Sequence, residues 1–186
     1  MIDQYLHTLT LAENQYKLAM MVVYHAHFGD GFENKVVAFS YGPYSVDGAE
    51  LRLAGEDQAR ASSALEASAI RLMAIIVDTA LEHAIPNRFK AAEPLVLQTA
   101  FIARVLRNAF AHDLFNPRWE LRDPRYSARF EVPGVIVVDT TGKDGQDVRW
   151  QDYGGPLALL KFLQHARGVI QRVTAQVAPK PVNGVT

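Results

Sequence analysis

Residues 93–115 read EPLVLQTAFIARVLRNAFAHDLF, a stretch apolar on more than one helical face. Such a helix must be surrounded, so it predicts a central position in a helical bundle or at a dimer interface. Pro94 sits at a favoured first-turn position, and Asn116-Pro117 stops the helix by residues 113–115. With hydrophobic residues at 49% and charged residues at 21%, the chain has enough apolar material to bury such a helix.

The flanking segments supply its partners. Residues 3–28 place Leu9, Tyr16, Met20, Val23 and Phe28 at roughly helical spacing, ending at Gly29-Asp30-Gly31. Thr10-Leu11-Ala12-Glu13 has the capping-box pattern, which puts the start of the main helix at Thr10. Residues 57–83 carry Leu65, Ala69, Leu72, Ile76 and Ala80 as an expected core stripe, with alanines and serines that permit close helix approach. Residues 29–56 between them read as a loop or lid. Within it, residues 35–39 suit a short strand or a helical turn, and Tyr41-Gly42-Pro43-Tyr44 is turn chemistry.

After Pro117 the texture changes. Residues 119–121, 126–132, 135–139 and 147–150 are short, aromatic or β-branched, and separated by Pro133-Gly134 and Gly142-Lys143-Asp144-Gly145. They predict a small antiparallel hairpin or meander over residues 118–150. A last helix follows Gly154-Gly155-Pro156, with Leu157, Leu160, Leu163, Val169, Ile170 and Val173 as its stripe. The expected fold is mainly α: an antiparallel helical bundle with a small antiparallel β element inserted before the last helix. The expected domain spans residues 1–177, followed by a flexible tail over 178–186.

The charge balance narrows function. A net charge of -1 gives no global basic field, so any nucleic-acid contact must be local. The absence of cysteine excludes a disulfide framework, a thiolate metal site and a cysteine nucleophile, and fits a reducing, cytoplasmic compartment. No signal peptide or membrane-spanning run is expected. His25-Ala26-His27 lacks a partner of metal-ligand spacing, and its rings point about 200° apart on a helix. Gly154-Gly155-Pro156 is a weak phosphate signal without a lysine or further glycines. No metal or cofactor is expected.

The segment Arg107-Asn108-Ala109-Phe110-Ala111-His112 stands apart. An arginine followed by asparagine, then three residues and histidine, at the C-terminal end of an apolar helix, resembles the hallmark of the HEPN superfamily (higher eukaryotes and prokaryotes nucleotide-binding). The resemblance covers about the first 115 residues plus the last helix, and its specific part is six residues long. It implies an antiparallel bundle that often forms a homodimer and, in active members, metal-independent RNA cleavage by motifs meeting across the dimer. On that reading Arg107, Asn108 and His112 are catalytic, and an antitoxin protein is a possible partner. Histidine moves protons near neutral pH, and the arginine fork holds phosphoryl oxygens. Arg104, Arg118 and Arg122 are candidate RNA contacts beside the site. Two alternatives stay open. The same bundle could bind RNA, a nucleotide or a protein without cleaving it. Arg107 could equally form an ion pair with a neighbouring helix, His112 could cap the helix end, and the other arginines could be a salt-bridged solvated face.

Overall fold

In the computed structural model, residues 2–29, 38–111, 113 and 116–177 are described. The protein is mainly α, with four long helices: α1 (Ile2–Phe28), α2 (Gly55–Ala84), α3 (Pro94–Ala111) and α4 (Gly155–Val177). Side-chain pairs fix their directions. Tyr5 stacks on His83 at 4.7 Å between ring centroids, while His27 Nε2 lies 3.4 Å from Ser63 Oγ, so α1 and α2 are antiparallel. Arg104 with Asp78 and Ala111 with Arg71 set α3 antiparallel to α2. Glu93 with Arg172 and Thr99 with His165 do the same for α3 and α4. The result is an up-down-up-down bundle in which α2 contacts the other three helices. Among the described residues, no helix is long and apolar enough to cross a membrane.

The helix starts differ from expectation in one place. Thr10 is not a cap: α1 already runs from Ile2, and the Thr8 and Thr10 hydroxyls donate back to the Gln4 and Leu6 carbonyls. That back-bonding lets a threonine sit inside a helix. The core stripes also rotate. On α2 the buried set is Ala69, Ile70, Met73, Ala74, Val77, Ala80 and Leu81, whereas Leu65 is exposed. On α4 Leu159 and Phe162 are buried and Leu157 is exposed. A helix with three helical neighbours buries a broad arc, so a single best-fit stripe misplaces its edges.

Two hairpins accompany the bundle. The region read as a loop or lid holds β1 (Ala38–Tyr41) and β2 (Tyr44–Asp47), paired antiparallel with Tyr41 opposite Tyr44. Gly42 adopts φ 58° in the two-residue turn, which glycine does at little cost. Residues 30–37 lie outside the described residues, so of the 35–39 segment only its last two positions are seen in β1. The second hairpin, β3 (Arg129–Val132) with β4 (Ile136–Asp139), buries Phe130, Val132, Ile136 and Val138 in the same core as the helices. The strands expected over 119–121 and 147–150 reduce to one bridge between Arg118 and Asp147 and a 3-10 turn at Trp150–Asp152. There the backbone is satisfied by other means. Trp119 pairs with Gln146 and Gly145, and the Leu121 amide donates to the Asp144 carboxylate at 2.8 Å.

Two acids anchor this frame. Glu13, buried on α1, accepts from Lys17 at 2.7 Å, Gln164 at 2.9 Å and Arg167 at 2.5 Å, tying α1 to α4. Asp152 accepts from Lys143 at 2.6 Å, the Arg149 amide at 2.9 Å and the Trp119 indole at 3.1 Å, which lets Trp119 be fully buried.

Candidate functional site at the end of α3

Leu106, Ala109 and Phe110 point into the core, so the face of α3 left over is Arg104, Arg107, Asn108 and Ala111, all half-buried. Spacings of three, four and seven put these residues along one stripe. Two of the expected catalytic residues thus share a face with one expected RNA contact. Arg107 Nη1 donates to Asn108 Oδ1 at 3.3 Å. That contact orients the asparagine amide. His112 lies outside the described residues.

The end of the helix is held by a residue the sequence did not suggest. Arg71, at the middle of α2, donates through Nη2 to the Ala111 carbonyl at 2.5 Å. A cation on a terminal carbonyl satisfies an acceptor the helix leaves open and complements its negative end. Five residues later, just before Pro117, the Asn116 amide donates to Asp113 Oδ1 at 3.0 Å. Arg71 is separated from Ala111 by 40 positions, so no local signal could have pointed to it.

The three arginines expected to touch RNA are placed differently from one another. Arg104 reaches across to α2, with Nε 3.2 Å from Asp78 Oδ2 and Nη2 3.3 Å from Glu82 Oε1. Asp78 also holds the buried Arg88 at 3.1 Å, and both guanidiniums lie over the Phe89 ring. Arg118 pairs with Asp147 at 3.1 Å and Arg122 with Glu120 at 3.5 Å, both on the surface. Among the described residues no hydrogen bond or ion pair joins Arg118 or Arg122 to Arg107. No group of three His, Asp or Glu side chains suited to a metal ion occurs among the described residues.

No protein-family model, no curated protein and no solved structure matches this chain.

Proposed function

We propose that the chain is a metal-independent endoribonuclease of the HEPN type, with Arg107, Asn108 and His112 as its catalytic group. The observation that carries the reading is the sequence segment Arg107-Asn108-x3-His112, whose Arg107 and Asn108 lie together on the half-buried face near the end of α3. RNA brings its own nucleophile. The 2′-hydroxyl attacks the adjacent phosphorus, a P–O2′ bond forms, and the P–O5′ bond breaks. His112 is the proton carrier for that exchange, and Arg107 neutralises charge on the non-bridging oxygens. The products are a 2′,3′-cyclic phosphate and a 5′-hydroxyl. Positions 107 and 112 are about 140° apart on an ideal helix. A homodimer that brings two motifs together would complete the site. A toxin or defence role in the cytoplasm, restrained by an antitoxin protein, suits such an activity.

A second reading is a bundle that binds RNA, a nucleotide or a protein without cleaving. The acid partners of Arg104, Arg118 and Arg122 favour it, because they lower the net positive charge available to a phosphate backbone. RNA cleavage in EDTA by the pure protein, by Arg107→Ala and by His112→Ala separates the two. Cleavage that survives chelation and disappears in both variants supports the nuclease. Retention of RNA without breakdown, equal in all three folded proteins, supports the binding module.

A further inference from the structure

At the opposite edge of the α1–α2 interface from the Tyr5–His83 contact, the bundle opens into a cleft of about 680 Å³. Its walls are Tyr16, Met20 and Val23 of α1, Glu66 of α2, Trp150, and the first turn of α4. A second cleft of about 360 Å³ shares Glu66 and Trp150 and reaches Phe110, Pro117 and Tyr153. Both volumes are within the range of small-molecule sites.

Four features mark the larger cleft as a built site. Tyr16 is 1% exposed, and its hydroxyl is buried with no hydrogen-bond partner, although it lines the cleft. Buried phenols normally find a partner, so this hydroxyl is reserved for one. Among the described residues Glu66 is the only charged one in the lining, and no hydrogen bond or ion pair among them engages its carboxylate. Burial pushes that carboxyl up, with the charge of His27 opposing. Phe28, Trp150 and Leu157 stand 78%, 63% and 63% exposed around the same opening, an apolar concentration that a folded chain normally covers. Finally, Gly154 and Gly155 adopt φ 81° and 78°, a backbone conformation that glycine takes at little cost, and they carry the chain from the Trp150–Asp152 turn into α4 along this cleft.

We infer that this cleft binds an organic cation: an ammonium group on an apolar, preferably aromatic, body. The charge pattern decides the class. Among the described residues the lining sets one carboxylate in an aromatic and aliphatic wall and holds no lysine or arginine, which is complementary to a positive ligand and repels an anion. Trp150 supplies a ring face for the cation, and the unpartnered Tyr16 hydroxyl in the wall is the acceptor for an ammonium N–H. Met20, Val23, Pro156 and Leu157 take the body. The inference is independent of the ribonuclease reading, since neither Arg107 nor Asn108 lines either cleft.

The test is calorimetric titration of the full chain with 2-phenylethylammonium and branched aliphatic ammonium probes, beside 2-phenylethanol and 3-phenylpropionate. The cations should bind at least about tenfold more tightly than the alcohol, and the carboxylate more weakly than either. Glu66→Gln should erase the preference for cation over alcohol while leaving alcohol binding. Tyr16→Phe should weaken the cations and keep the fold. Trp150 emission should change on binding, and Trp150→Phe should remove that response, because Trp119 is fully buried elsewhere. No heat from any probe up to about 10 mM overturns the inference, as do equal affinities for cation and alcohol, a preference for the carboxylate, or a cation preference that persists in Glu66→Gln.

Discussion

Glu13 of α1 and Glu66 of α2 are both glutamates on packed helices, and the protein treats them in opposite ways. Around Glu13, burial alone would push the carboxyl up. Hydrogen bonds from Lys17, Gln164 and Arg167, with the Arg167 charge, outweigh it and hold the group down to about 2. Around Glu66, burial pushes the carboxyl up and only His27 pulls back. The first arrangement is what a chain does with an acid it uses to join helices: it surrounds it with donors until the charged form is the stable one. The second leaves an acid unsatisfied beside an unpartnered tyrosine hydroxyl. Stability does not ask for that arrangement, so it points to a ligand.

The largest effect should come from breaking the satisfied one. Glu13→Ala removes the acceptor for three side chains and strands the half-buried Arg167, so we expect a loss of about 3 kcal/mol in chemical denaturation. Glu66→Gln removes an unpaired charge and should be neutral or slightly stabilising in the same assay. If the two variants unfold at the same denaturant concentration, the contrast between the two acids is wrong. Asp152→Asn should fall between them, at about 1–3 kcal/mol, because it weakens the bonds from Lys143, the Arg149 amide and the Trp119 indole together. Trp119 fluorescence would report the loss as a shift to longer wavelength.

That contrast was invisible in the sequence, where Glu13 appeared only as the end of a capping pattern and Glu66 not at all. What was legible is what periodicity and backbone chemistry decide. Pro94 and Asn116-Pro117 bracket α3, and the hydrophobic spacing announces four helices with a hairpin before the last. The β1–β2 hairpin was legible only as the reversal at Tyr41-Gly42-Pro43-Tyr44 and, at residues 38 and 39, as one of two open readings, a short strand or a helical turn. The arcs of α2 and α4 were displaced, because which neighbours a helix touches is a tertiary fact. At the candidate site, Arg107 and Asn108 could be picked out as a pair, since motif spacing is local. Arg71 and the Tyr16–Glu66 cleft could not, because residues 40 or 50 positions apart meet only after the bundle forms.

The pH dependence of folding sharpens the comparison with smaller effects of opposite sign. Glu13 has a folded value below the ordinary 4.5, so its contribution is complete above about pH 4.5 and is lost as pH falls toward about 2. Glu66 has a folded value above 4.5, so its contribution is complete below 4.5 and declines as pH rises from there through its raised value. Denaturation midpoints measured from pH 3 to 7 should therefore rise more steeply with pH in Glu66→Gln than in wild type just above pH 4.5. Glu13→Gln should flatten the acid side. Parallel curves for all three proteins would show that neither glutamate is perturbed by its surroundings.

The smallest effect on folding, and the most useful for function, concerns the arginines. Arg104 belongs with Glu13: it is half-buried, held by Asp78 and Glu82, and lies over Phe89, so Arg104→Ala should destabilise the α2–α3 contact measurably. Arg118 and Arg122 are surface partners of Asp147 and Glu120, and exposed pairs of this kind add little to stability. The double variant Arg118→Ala, Arg122→Ala should leave the thermal midpoint unchanged. Its RNA affinity, measured at several salt concentrations, then reads the electrostatic contribution alone. A shallower salt dependence with the fold intact would assign these two arginines to the phosphate backbone. An unchanged salt dependence would leave them as a solvated surface and confine any RNA contact to the α3 face that carries Arg107 and Asn108.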